Sequence, residues 1–291
     1  MATRTVWANA LDERARAYWT PERTHALTGG KALEILPAEA PRLLRALGLL
    51  DGDATMPPAR VRKYLQINHL AKALRPAMAE LRARHPTVRL VDAGCGRSYL
   101  TLLLAWIHRV EVLGVDRNAD VIAECQRRAA LAELDDLVRF EAAPLETIIE
   151  REAARGIHGV FALHACDTAT CDAIALGVTA GADLVAVAPC CQAELARKWE
   201  ALGTDDGFAA VRGMPHLRRE TAAHITDAMR TLLLRSRGYT AVATEFISFE
   251  HTAKNTLIRA LRGEPNPTAR AEYEALVTST GGAGLALADR I

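Results

Sequence analysis

From residue 88 the chain alternates short apolar runs with longer stretches of helical periodicity. The runs at 88–93, 110–116, 137–142, 158–164 and 183–189 predict buried parallel strands. Helices fit 98–108, 119–134, 144–154, 168–179 and 191–202 between them. Such alternation implies a parallel sheet covered by helices on both faces. A further helix fits 217–237, and 240–250 with 255–261 read as two closing strands. Residues 203–215 read as loop, and 263–291 as a polar loop, a short helix near 267–278 and a glycine-rich, partly disordered tail.

Before residue 88 the periodicity is helical throughout. Ala38 to Leu50 places Leu43, Leu44, Leu47 and Leu50 on one face. Val61 to His85 carries Leu65, Ile67, Leu70, Leu74, Met78 and Leu81, with a break or kink expected at Pro76. The expected fold is therefore α/β: a doubly wound Rossmann-like sheet, mostly parallel with an antiparallel closing strand, behind an N-terminal helical extension. The expected divisions are 1–87, 88–262 and 263–291.

Composition narrows the function classes. The chain has 291 residues, half of them hydrophobic, enough for one large domain or two small ones on a prior of about 100–200 residues each. A net charge of +1 does not announce a polyanion partner for the whole chain. The charge is uneven, however. Eight lysines or arginines lie between Pro58 and Arg89 (Arg60, Arg62, Lys63, Lys72, Arg75, Arg82, Arg84 and Arg89), opposed only by Glu80. The segment 58–89 could grip phosphates, or be a solvated helix face. Aromatic residues make up only 5%, which weighs against an extended base-stacking platform. Six cysteines without a secretory leader predict free thiols in a reducing cytoplasm. No apolar run reaches the ~18 residues of a membrane span.

The first strand runs into Asp92-Ala93-Gly94-Cys95-Gly96, and an apolar helix begins near Ser98. Glycines at such a turn permit φ > 0 and close backbone approach. The helix N-terminus behind them offers unpaired N–H groups. A dinucleotide fingerprint would have glycine at Tyr99 and no acid at Asp92; a P-loop would have lysine, which Gly96-Arg97-Ser98 lacks. A D-x-G-x-G turn instead suits a ligand bearing a cationic amine and no phosphate. The next run, Val110 to Val115, ends in Asp116, where an acid accepts hydrogen bonds from ribose hydroxyls in doubly wound folds.

Ligands of open α/β sheets bind outside the carboxyl ends of the strands. The fourth strand ends Leu163-His164-Ala165-Cys166-Asp167 and the fifth Ala188-Pro189-Cys190-Cys191-Gln192. His164 is a candidate general base, or a histidine shaping the cofactor pocket. Asp167, in Asp-Thr-Ala-Thr, reads as the N-cap of the next helix. Cys190 and Cys191 admit three readings. One is nucleophilic: a thiolate adds at C6 of a pyrimidine to activate C5. Another is metal binding with Cys166, Cys171 and His164, whose spacing is not that of a zinc finger. The last is structural, small residues letting a loop approach the acceptor. Cys95 and Cys125 read as packing residues.

VDAGCGRSYLT with Asp116, LHACDTAT (163–170), APCCQ (188–192), EHTAKN (250–255) and KYLQIN (63–68) resemble a bacterial methyltransferase-domain subgroup of class I S-adenosylmethionine-dependent methyltransferases. The resemblance spans about residues 60–262. It implies S-adenosyl-L-methionine as cofactor, with Asp92, Gly94 and Gly96 holding the methionine moiety, Asp116 the ribose, and His164 close by. The acid that usually ends the third strand is missing from Phe140-Glu141-Ala142-Ala143-Pro144, which leaves adenine to backbone groups or Glu146. His164, Cys190 and Cys191 are the catalytic candidates. Three functions follow: methylation of a base in RNA, some relatives being thought to act on RNA; methylation of a small molecule; or cofactor binding without catalysis.

Overall fold

β-Branched and leucine-rich runs flanked by glycine turns become strands here, and the longer periodic stretches become helices. The computed structural model describes residues 2–163, 165, 167–189, 191–202, 207–245 and 256–291, without the side chains of 2–6. Helices are α1 (Ala2–Tyr18), α2 (Pro21–Thr28), α3 (Pro41–Ala46) and α4 (Pro58–Arg84). Then β1 (Arg89–Ala93), α5 (Tyr99–His108), β2 (Glu111–Asp116), α6 (Ala119–Ala132) and β3 (Val138–Ala142) alternate. They are followed by α7 (Ile149–Arg155), β4 (Gly159–Leu163), α8 (Thr168–Thr179), β5 (Leu184–Ala188) and α9 (Ala193–Glu200). The chain closes with α10 (Ala209–Arg212), α11 (Pro215–Ser236), β6 (Tyr239–Glu245), β7 (Thr256–Arg262) and α12 (Ala269–Ser279). The strand order is β3-β2-β1-β4-β5-β7-β6. β3 pairs parallel with β2, β1 with β4 and β4 with β5, and β7 is antiparallel to both β5 and β6. That is the expected doubly wound sheet with an antiparallel closing strand.

The chain forms two compact units: 1–87 with 95–142, and 88–94 with 143–291. In the first, α3 buries Leu43 and Leu44, and Leu47 just after it is buried too. Helix α4 buries Ile67, Leu74, Met78 and Leu81, and leaves Leu65 exposed. It continues through Pro76 without the break that is one of the two expectations there. Pro76 lies on the exposed face, so the missing N–H falls where water can serve the carbonyl of Lys72, while the buried residues on either side hold the helix. The N–H of Ile35 donates to Asn68 Oδ1 and the Tyr64 hydroxyl to Ile35 O, which fastens the preceding loop to this helix.

In the second unit, β4 pairs with β5 from Gly159↔Leu184 to Leu163↔Ala188, all five β5 residues being buried. Helix α11 packs on α9, α12 and β6. The last residues are ordered rather than partly disordered. Leu285 and Leu287 are buried, the Leu285 N–H donates to Tyr273 Oη, and the Ala286 N–H donates to Glu194 Oε1. A few apolar anchors suffice to tie down a glycine-rich end.

Candidate active site

The strand order reverses between β1 and β4, both in the second unit, and this switch point is where an open α/β sheet receives ligands. Asp92 pairs in register with Phe161 and is buried at the tip of β1. Gly94 follows at φ +72°, and a Cβ there would stand 3.8 Å from Ala165 Cβ beyond the tip of β4. His164 lies outside the described residues, as do Cys166, Cys190 and the EHTAKN segment.

The rest of the turn belongs to the first unit. Gly96 takes φ +49°, and no atom lies within 4 Å of where its Cβ would be, so its backbone faces open space. The Gly96 N–H donates to Asp116 Oδ2 at 3.1 Å, and the Asn118 N–H donates to Asp116 Oδ1 at 3.0 Å. One carboxylate thus fixes both the glycine turn and the entry to α6. Asn118 caps α6 in turn, accepting from the N–H groups of Asp120 and Val121. The turn is backed by sulfur: Cys125 Sγ lies 3.0 Å from Gly96 O, and Cys95 and Cys125 pack with Ile122. Their reading as packing residues fits this. Tyr99, in place of the third glycine, opens α5 with Lys63 Nζ 4.7 Å from its ring centre. This cation–π contact connects KYLQIN to the helix behind the turn.

Asp167 departs from the sequence reading. It occupies the N-cap position of α8 but makes no hydrogen bond there. Its backbone, at φ +51° and ψ −113°, turns the carboxylate toward α9 instead. Oδ1 accepts from the N–H groups of Ala193 and Glu194, both at 2.9 Å, and Oδ2 accepts from Arg197 Nη2 at 2.7 Å. It therefore caps the helix that follows the other strand tip. Burial pushes its carboxyl up, but Arg197 and the two backbone N–H groups outweigh this and hold it below the ordinary value. The Asp167 N–H donates to Cys191 O at 2.9 Å. The tip loops of β4 and β5 are thus stitched together by one residue in a strained conformation.

A second anchor lies beneath them, and sequence reasoning missed it. Arg230, on α11, is fully buried. Its Nη2 donates to Asp167 O at 2.9 Å and lies 3.3 Å from Cys171 Sγ, while Nη1 donates to Asp227 Oδ1 at 3.3 Å. Asp227 Oδ2 accepts from Gln192 Nε2 at 2.8 Å. Burial raises the carboxyl of Asp227 above its usual range despite Arg230 and Gln192, and burial raises the Cys171 thiol. The signal was available: Asp227 and Arg230 sit three apart on the same stripe as Leu234.

Cys191 is half-buried, and with Cys95, Cys125 and Cys171 it forms no disulfide among the described residues. Its carbonyl accepts from the Asp167 N–H. Glu146 is exposed in a short 3₁₀ turn, Leu145–Thr147. No helix among the described residues is long and apolar enough to cross a membrane.

Residues 62–198 match a family model described as a methyltransferase domain. No curated protein sequence matches the chain. Among solved structures, cofactor-bound Rv0187 from MTB is 16% identical, with 84% of this chain and 99% of that one covered and a TM-score of 0.46. The SAH-bound Podospora anserina methyltransferase PaMTH1 is 11% identical (82% and 93% covered, TM-score 0.45). An rRNA methylase from Streptococcus thermophilus is 13% identical (61% and 88% covered, TM-score 0.38). The matched segment, similar to a methyltransferase domain, holds the glycine turn, Asp116 and the tips of β1, β4 and β5.

Proposed function

We propose that this chain transfers the methyl group of S-adenosylmethionine to a base in RNA. The observation that carries the RNA reading is the basic charge exposed along α4. Arg62, Lys63, Lys72, Arg75, Arg82 and Arg84 are all exposed along it. Part of this charge is already paired, Arg75 with Glu34 and Arg84 with Glu80. Lys72 and Arg82 make no ion pair among the described residues, and phosphates would satisfy them.

The turn residues fit the cofactor. Asp92, buried at a strand tip, suits the cationic amine of the methionine moiety. Gly94 and Gly96 give backbone that a ligand can approach closely. Asp116 keeps the turn in shape through the Gly96 N–H and retains lone pairs for the ribose hydroxyls. When bound, the cofactor supplies an electrophilic sulfonium methyl. The chain's own work is to position an acceptor in line with it and exclude water. We assign His164 to take the proton from a nitrogen or oxygen acceptor, or to shape the cofactor pocket. The Cys190–Cys191 pair is a nucleophile if the acceptor is a pyrimidine carbon, and otherwise a structural element of the loop.

Labelled cofactor tests the reading. Methyl groups should enter total RNA, with incorporation dropping steeply between about 50 and 200 mM salt as phosphate contacts are screened. His164→Ala should lower turnover and leave cofactor affinity near wild type. Transfer only into a metabolite extract would overturn the RNA reading in favour of a small acceptor. Cofactor binding with transfer to neither would leave a non-catalytic binder.

Asp116→Ala should weaken cofactor binding by at least about tenfold in titration calorimetry, about 1.4 kcal/mol. Both the ribose acceptor and the brace on Gly96 are lost. Unchanged affinity would remove Asp116 from the cofactor site.

A further inference from the structure

A cavity of about 420 Å³ opens beside the tip of β5, between α9 and α11. Its size falls in the range of about 300–1,000 Å³ of small-molecule sites. Its floor is apolar and low, because Ala193, Ala196 and Ala223 contribute only methyl groups. A floor of that kind accepts the face of a flat ring. Three arginines line it: Arg197, Arg218 and Arg219. Two are engaged, Arg197 with Asp167 and Arg218 with Glu200. Arg219 is exposed and makes no ion pair among the described residues. Glu220 shares the lining, so cations exceed anions by one.

A second observation points to a ligand. Gln192 lines the same cavity and is only 7% exposed. Its Nε2 is committed to Asp227, and its Oε1 has no hydrogen-bond partner among the described residues. A buried acceptor left unpaired costs about 1–3 kcal/mol. Turned toward the cavity, that oxygen would accept from a ring amine or ring N–H. Apolar floor, orphan amide oxygen and unpaired guanidinium together match a heterocycle that carries both an N–H donor and a phosphate.

We infer that this cavity is a nucleotide subsite: the ring lies on the alanine floor, an N–H of the ring donates to Gln192 Oε1, and the phosphate meets Arg219. As an acceptor subsite it rests on the methyl-transfer reading; as a binding site it does not. The ligand chemistry is shared by a free nucleotide and by one unit of an RNA strand.

The test is a titration of the full chain with inorganic phosphate, a nucleoside, its 5′-monophosphate and a short single-stranded oligoribonucleotide. The monophosphate should bind at least tenfold more tightly than the nucleoside or phosphate alone. Arg219→Glu should lose at least tenfold of that affinity, and Arg270→Glu, a reversal on α12 away from the cavity, should lose none. Gln192→Met should reduce affinity for a base with an exocyclic amine more than for one without. A further gain for the oligonucleotide identifies RNA as the source, and equal affinities identify the free nucleotide. Equal binding of nucleoside and monophosphate, or no effect of Arg219→Glu, would overturn the inference. Cofactor affinity measured on the same samples separates the readings. If the cofactor fails to bind while the nucleotide binds, the methyl-transfer reading falls and the subsite stands.

Discussion

Arg230→Met is expected to destabilise the fold by about 3–5 kcal/mol, the cost of removing one partner from a buried ion pair. Methionine fills much of the same volume, so the loss is not mainly a cavity. What remains is Asp227, 5% exposed, facing Gln192 without its cation. Asp167 O also loses its donor at the strained backbone of the β4 tip. The denaturant midpoint should fall with little change in slope. The penalty should depend on pH. Burial already holds the Asp227 carboxyl above its unfolded value of about 3.9, and loss of Arg230 removes the largest opposing influence. An acid whose folded pKa is raised binds its proton more tightly in the folded state. Its stabilisation is present below the unfolded pKa and disappears as pH rises through the folded pKa. The Met variant should therefore be closest to wild type in acid and weakest near neutrality. Asp227→Asn added to Arg230→Met should recover part of the loss. A single Met variant within about 1 kcal/mol of wild type at pH 7 would show that the pair anchors nothing.

The sheet was legible because its strands are short apolar runs ended by glycine or acid, and the period of the intervening helices is unambiguous. The glycine turn and Asp116 were legible for the same reason: a local motif sits at a predictable place on the fold. Asp116 proved to do something the motif does not state, since it binds the turn's own backbone at Gly96. Pro76 misled because the buried residues on either side hold the helix through a proline that is itself costly. Asp167 misled more instructively. Asp-Thr-Ala-Thr has the composition of an N-cap, but capping depends on backbone direction, and a positive φ sends this carboxylate to a helix that begins 26 residues later. No local pattern reports such a pairing. The Gln192–Asp227–Arg230 chain is likewise a long-range arrangement; only a charged pair on an apolar stripe of α11 hinted at it.

Asp167 offers the second large effect, and its variants separate capping from charge. Asp167→Ala should lose about 1–2 kcal/mol, since the first two N–H groups of α9 are left without their acceptor. Asp167→Asn keeps an oxygen for those groups and gives up only the attraction to Arg197. That side chain is 61% exposed, so the surface pair is worth under about 1 kcal/mol. The Asn variant should therefore lie near wild type and the Ala variant well below. Acid titration adds a check with a definite sign. The wild-type carboxyl is held below its unfolded value, so its contribution is full above about pH 3.9 and is lost as pH falls through the depressed folded value. The Asn variant, with nothing to titrate, should lack that acid loss. Because the Asp167 side chain ties the tip of β4 to the start of α9, the Ala variant should also lower kcat for methyl transfer while cofactor affinity holds. That split marks a residue that positions the two loops through its side-chain cap on α9. If Ala and Asn lower stability equally, the charge on Arg197 rather than the α9 cap is what Asp167 supplies. If cofactor affinity falls along with kcat, the two tip loops shape the cofactor's side of the site and not the acceptor's.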